Sequence, residues 1–246
     1  MGVFRVVMAC TTAMMLSVCV CSTARGGSDG PPHPSFLLFG GTDVWRDGAF
    51  LHGGALWSPE GLDVDGFTLK LLFFGGGYAY TSGSLHADVN GTLLSAGVLP
   101  GWRLTLAGVN VGLYAGPAVQ DFRLSPNDPG AQLRGLYFGA QSATDIWYQP
   151  TPQTMTALNG FISTVGPTSS VRGALGWRAF DAFFIGPEAQ GIWCADYQQL
   201  RLGLHITGFH VGGVEWSAEW SAAAGWETET TGRPGPYMRL GMSARY

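Results

Sequence analysis

The chain has 246 residues, of which 46% are hydrophobic and 12% charged, with a formal net charge of −4. That charge content is about half the ~25% of an ordinary soluble domain, too little to cover a water-facing surface of this size. The acidic balance argues against nucleic-acid binding, which needs a basic footprint, and no apolar stretch after the first 24 residues approaches the ~18 needed for a transmembrane helix.

Arg5 precedes an apolar run from Val6 to Val20, followed by Ser22, Thr23 and Ala24. Charge, length and small flanking residues read as a secretory signal peptide over residues 1–24. Cys10, Cys19 and Cys21 leave with it, so Cys194 stands alone and neither a disulfide framework nor a Cys-based metal site is expected. Residues 25–35 are rich in Gly and Pro and read as a linker.

From Phe36 onward, turn residues divide the sequence into about 12 strand-like segments. These are 36–45, 49–57, 67–79, 89–99, 103–122 and 135–148, then 154–164, 170–180, 183–193, 200–207, 214–224 and 237–246. No segment carries a 3.6-residue period or helix caps. Residues 36–246 therefore predict one all-β domain, an antiparallel outer-membrane-type β-barrel.

Alternation within the strands supports two solvents. Arg172 and Arg178 oppose Val171, Leu175 and Trp177, and Arg201 and His205 oppose Leu200, Leu202, Leu204 and Ile206. Glu215, Ser217, Glu219 and Ser221 oppose Trp216, Ala218, Trp220 and Ala222. In the last strand Met238, Leu240, Met242, Ala244 and Tyr246 oppose Arg239, Gly241, Ser243 and Arg245. Side chains alternate with period two along a strand, and an Arg facing lipid at mid-bilayer costs ~2–4 kcal/mol. The charged face is therefore expected to line a lumen.

With the N-terminus on the periplasmic side, aromatic residues cluster at both strand ends, as girdles would. Trp57, Phe67, Trp102, Tyr148, Trp177, Phe183, Phe209 and Tyr246 fall near the periplasmic ends. Trp45, Tyr78, Tyr80, Phe122, Trp193, Tyr197, Trp226 and Tyr237 fall near the outer ends. A soluble β-sandwich using the same rings as core is the competing architecture.

Asp145, Arg172, Arg178, Glu188, Arg201, His205, Glu215 and Glu219, with Lys70, are the candidates for a polar lumen network. Arg201 and His205 lie on the strand next to Glu215 and Glu219, which predicts cross-strand pairing. Such a network either guides a solute or fills a narrow lumen with paired charges. Ser217, His205 and Glu215 or Glu219 supply the residue types of a hydrolase triad, but alternation points His205 inward and no nucleophile motif accompanies them. The other histidines lack metal-ligand spacing, and no cofactor is expected. Gly75-Gly-Gly77 has no helix behind it and no GK[ST], so it is not a phosphate cradle. Asn90-Gly-Thr92 reads as a turn at a strand start. The outer loops 121–130 and 227–236 are rich in turn residues, and Trp193, Asp196 and Tyr197 pair rings with polar groups in a manner suited to sugar faces.

Several turn segments carry a family likeness. Trp57-Ser-Pro-Glu-Gly-Leu-Asp-Val-Asp-Gly-Phe67, Leu99-Pro-Gly-Trp-Arg103, Arg123-Leu-Ser-Pro-Asn-Asp-Pro-Gly130, Asp145-Ile-Trp-Tyr-Gln-Pro-Thr-Pro152, Leu175-Gly-Trp-Arg178 with Gly186-Pro-Glu188, and Tyr197-Gln-Gln-Leu-Arg-Leu-Gly203 resemble BcsS-type cellulose biosynthesis proteins. The resemblance covers about residues 36–246 and implies association with bacterial cellulose synthesis and export. It brings no catalytic set. Outer-membrane lipid, and cellulose or other cellulose-synthesis and export components, are the partners it implies. A non-catalytic accessory, anchoring or secretion role is expected, against an outer-membrane lipid or glucan hydrolase or a secreted carbohydrate-binding β-protein.

Overall fold

A computed structural model describes residues 34–194, 197–212, 217–230 and 233–246. Residues 1–24, expected as a signal peptide, residues 25–33 of the expected linker, and Asp196, Glu215 and Trp216 lie outside the described residues. The chain forms strands β1 Phe36–Trp45, β2 Gly48–Trp57, β3 Gly66–Ser82, β4 Ala87–Leu106, β5 Val109–Ser125 and β6 Gly135–Thr151. It continues with β7 Thr154–Ser163, β8 Thr168–Ala179, β9 Phe183–Cys194, β10 Tyr197–Gly212, β11 Ser217–Glu229 and β12 Gly235–Arg245. No helix occurs among the described residues.

Each strand pairs antiparallel with the next, and β12 returns to β1 from Leu37↔Arg245 to Trp45↔Tyr237. Closure removes both sheet edges, the condition for a sheet to survive in hydrocarbon. Both ends of β1–β12 lie at one end of the barrel, together with the turns 58–65, 107–108, 152–153 and 180–182. We call this the terminal end. Turns 46–47, 83–86, 126–134 and 164–167 lie at the far end.

Several boundaries differ from the sequence expectation. Pro100-Gly101 lies within β4, and the hairpin instead turns at Ala107-Gly108, where Gly108 has φ +76°, a left-handed position that glycine occupies without penalty. β4 and β5 accommodate their prolines by pairing Gly97 with Ala118 and next Gly101 with Tyr114, leaving Pro100 and Pro117 in the skipped stretch. Asn90-Gly-Thr92 is strand rather than turn, and Glu227 and Glu229 belong to β11 rather than to a loop.

The two faces have opposite character. Along β10, Leu202 and Leu204 are 56% and 62% exposed while Arg201 and His205 are 2% exposed. Leu51, Phe73, Leu113, Ile162 and Leu240 continue the exposed apolar belt on other strands. Most of the terminal-end girdle is present: Trp57, Phe67, Trp102, Tyr148, Trp177, Phe209 and Tyr246 are exposed, while Phe183 is half-buried. The far-end girdle is largely absent. Trp193 and Trp226 are exposed there, but Tyr237 and Phe122 are buried and Trp45, Tyr78, Tyr80 and Tyr197 are half-buried. Alternation decides this, because these six share a face with inward neighbours while Val44 and Met238 on the other face are exposed.

Candidate functional site in the lumen

The lumen holds three layers. At the terminal end it is filled with apolar side chains. The turn 58–65 folds inward so that Leu62 is fully buried against Leu56, Leu99 and Tyr114. Its N–H donates to Pro34 O at 2.8 Å, and Ser58 Oγ donates to Gly61 O at 2.8 Å, fixing the turn. A second cluster joins Met155, Ala157, Ala174 and Phe184, with Trp147 packed against it.

Charged chords cross the middle. Asp43 Oδ1 on β1 accepts from Arg201 Nη1 on β10 at 2.9 Å and from Arg239 Nε on β12 at 2.8 Å. Glu188 on β9 accepts two bonds from Arg172 at 2.9 and 2.6 Å and one from Tyr237 Oη at 2.8 Å. Arg239 also reaches Glu188 at 3.4 Å and donates to Gln190. Arg239 spans from β12 to β9 and Arg201 from β10 to β1, so these bonds cross the interior rather than follow the wall. Buried charges of this kind need partners, and here each has at least one. The Arg201 guanidinium lies over the rings of Trp45 and Tyr237, 4.8 and 5.4 Å from their centroids.

A second chord joins Lys70 on β3 to Asp145 on β6, where Asn159 donates to the same carboxylate at 3.2 Å. The Lys70 ammonium sits 4.7 Å from the Tyr114 ring centroid. Arg172, Glu188 and Arg201 thus meet in one network, while Asp145 belongs to another. Arg178 joins neither: it donates to Pro152 O at 2.7 Å and covers the Phe184 ring.

The expected pairing of Arg201 and His205 with Glu219 does not form. β10 extends to Gly212, so the register places Glu227 opposite Arg201, Ala223 opposite His205, and Glu219 opposite His210. Register follows from where the paired strands end, and β10 runs past the expected end at Thr207 to Gly212. Glu219 accepts from Thr207 Oγ1 and Gly208 N, both at 3.1 Å. His205 Nε2 lies 3.0 Å from Leu175 O. The triad types drawn from Ser217, His205 and Glu219 do not come together, since Ser217 pairs with Gly212 near the turn while His205 lies opposite Ala223.

Asp43, His52, Gln190 and Tyr237 complete the network without having been singled out in the sequence as lumen groups, together with Arg239 from the polar face of the last strand. The available signal was closure itself: pairing the last strand with the first sets Asp43 directly opposite Arg239.

The third layer, at the far end, is aromatic. Trp45 and Phe50 have centroids 5.5 Å apart and planes at 8°, Phe50 and Tyr78 are at 6.5 Å and 15°, and Tyr78 and Tyr80 at 6.2 Å and 20°. Phe74 lies beside Phe50 at 5.2 Å. Above them the loop 126–134 is anchored by Asp128, which accepts from Ser84 Oγ at 2.6 Å, Tyr80 Oη at 2.9 Å and Gly130 N at 2.9 Å. The Ser84 bond foremost, with those from Ser82 and Tyr80, holds the Asp128 carboxyl well below the usual carboxylate range.

A closed meander with an apolar outer belt and a polar lumen defines a β-barrel of the outer-membrane type. The family description "Cellulose biosynthesis protein BcsS" matches residues 37–246. The chain belongs to that family. No match is found among curated proteins. Solved structures with a similar fold include a KdgM porin, at 10% identity and a TM-score of 0.40 over 84% of this chain and 97% of that one. LpxR from Salmonella typhimurium matches at 12% identity and a TM-score of 0.45, over 85% and 99% of the two chains. The beta domain of the Bordetella autotransporter BrkA matches at 11% identity and 0.45, over 87% and 99%.

Proposed function

We propose that the protein is a non-catalytic barrel of the outer membrane that serves cellulose biosynthesis as an assembly or anchoring component, with its termini in the periplasm. The observation that carries this reading is the set of side-chain chords crossing the lumen, Arg201 to Asp43, Arg239 to Glu188 and Lys70 to Asp145. A conduit for a neutral glucan needs a clear bore lined by rings and hydroxyls. This lumen is bridged by ion pairs at mid-height and narrowed by Leu62 and its neighbours at the terminal end, which supports a bore that does not pass a glucan. The belt of exposed leucine, isoleucine and phenylalanine supports lipid as the surrounding solvent, and the terminal-end aromatic girdle supports the orientation.

The test is removal of the protein from a cellulose-producing cell. The proposal expects polymer still to be made and exported, with less of it retained at the surface, and restoration on complementation. Complete loss of export would favour a conduit, and unchanged surface cellulose would remove the cellulose role.

A further inference from the structure

The far-end rings have a geometry that the barrel does not need for its own packing. Trp45, Phe50 and Tyr78 sit on three successive strands, and each pairs across the ladder with a glycine: Trp45↔Gly48, Phe50↔Gly76 and Tyr78↔Gly91. A Cβ at Gly48 would lie 2.4 Å from the Trp45 ring, one at Gly76 2.6 Å from the Phe50 ring, and one at Gly91 2.3 Å from the Tyr78 ring. Each ring therefore lies across bare backbone, one face against the wall and the other toward the lumen. All three remain half-exposed.

The rings are tiled rather than stacked into one another. Their planes are within 20° of parallel, yet successive centroids are 5.5, 6.5 and 6.2 Å apart from Trp45 through Phe50 and Tyr78 to Tyr80. Full face-to-face contact would bring carbons to ~3.5–4 Å. Each ring is partly exposed, with Arg201 lying over part of Trp45 and Phe74 beside Phe50, and the strip climbs from the charged layer toward the far-end mouth. At its lower end, Arg201 and its neighbour on the same strand face, Gln199, are buried at 2% and 3% exposure. Arg201 Nε and Gln199 Oε1 have no hydrogen-bond partner, an unmet donor and an unmet acceptor beside an apolar strip.

We propose that this strip is a binding site for a neutral β-linked glucan chain entering the far-end mouth. A β-linked hexopyranose has an apolar face of axial C–H groups and a rim of equatorial hydroxyls. The faces stack on Trp45, Phe50 and Tyr78, and the rim bonds the polar groups at the base of the strip. The rings themselves are uncharged, and the Arg201 guanidinium that lies over Trp45 is already paired with Asp43, which disfavours an acidic polysaccharide. The mid-lumen chords stop the chain from passing through, so the site grips a polymer end or segment from outside. The inference rests on the cellulose reading above.

The test uses the full protein, purified from membranes in detergent, and calorimetric titration with cellohexaose. The native barrel should bind, and Trp45→Ala and Tyr78→Ala should each weaken binding at least tenfold. Trp45→Phe should retain binding within about threefold, and Tyr148→Ala, in the outward girdle, should match the native protein. A heat-dependent gel shift establishes that each variant is a folded barrel. No binding by the folded native protein, unchanged binding in both alanine variants, or equal or tighter binding of a uronate oligomer would each overturn the assignment. If the native barrel binds no glucan while its removal still lowers surface cellulose, the strip is wrong and the cellulose role stands. If it binds as described while removal leaves surface cellulose unchanged, the strip stands and the role fails.

Discussion

Asp43 on the first strand and Arg239 on the last lie directly opposite each other and are joined at 2.8 Å, so the seam that closes the barrel is also an ion pair. The same carboxylate holds Arg201 at 2.9 Å and lies 3.4 Å from His52. One acidic group thus ties together β2, β1, β12 and, past β11, β10.

Asp43→Asn keeps the shape of the side chain and removes its charge. Two buried guanidinium groups, Arg201 and Arg239, then lose a shared counter-ion, and breaking a buried pair costs about 3–5 kcal/mol. The temperature at which the folded band converts to the unfolded one on a gel should fall clearly. A variant as heat-resistant as the native barrel would show that the chord is not a stabilising tie.

Leu62 tests the filling of the terminal end. Leu62→Ala removes a fully buried side chain from the cluster with Leu56, Leu99 and Tyr114, at a cost of about 2–5 kcal/mol for a buried Leu→Ala change. The denaturant midpoint should drop accordingly, whereas Val64→Ala in the same turn, where the side chain is 37% exposed, should leave it nearly unchanged. Equal effects at both positions would mean that the turn does not plug the lumen.

Gly91→Ala tests the seating of Tyr78. The added methyl would lie 2.3 Å from the ring, so the ring must leave its place, and overpacking of this kind costs about 1–3 kcal/mol. Gly77→Ala, whose nearest neighbour would be 3.6 Å away, is the matched control. The first should lower the unfolding temperature and the second should not. The reverse order would contradict the flat ring placement.

Asp128 sets the pH response of the far-end loop. Its carboxyl is held below the ordinary Asp range, chiefly by the Ser84 hydroxyl. A depressed folded-state value means that its contribution is fully present above the unfolded value of about 3.9 and is lost only as pH falls below that, through the folded value. Amide hydrogen exchange in residues 126–134, corrected for intrinsic rates, should show equal protection at pH 7 and pH 5. Asp128→Asn should lose protection at both. A loop that loosens between pH 7 and pH 5 in the native protein would contradict the arrangement.

Much of the barrel was legible because period-two alternation is local. β1 was delimited to the residue, and the exposed leucines of β10 were separable from Arg201 and His205 by parity alone. The β4–β5 turn was misplaced because Pro100-Gly101 is a stronger turn signal than Ala107-Gly108, and a proline at a skipped ladder position leaves no trace in a single sequence. The far-end girdle is not legible from strand-end position alone, because parity places Trp45 and Tyr237, both near strand ends, on the inner face. Which charges meet was not legible. Arg239 reaches Glu188 across two intervening strands, and nothing in local pattern fixes distances across a lumen. The residues that organise it, Asp43 and Arg239, become neighbours only when the two ends of the sheet join.

The most direct test of a lumen closed at mid-height is the electrical conductance of the native barrel reconstituted in a planar bilayer. The account predicts no steady ohmic opening, with current appearing only when the chords are removed and the terminal-end filling is reduced, as in Asp43→Asn, Glu188→Ala and Asp145→Ala combined with Leu62→Ala. A stable open level in the native protein, of the size expected for a water-filled pore, would contradict it.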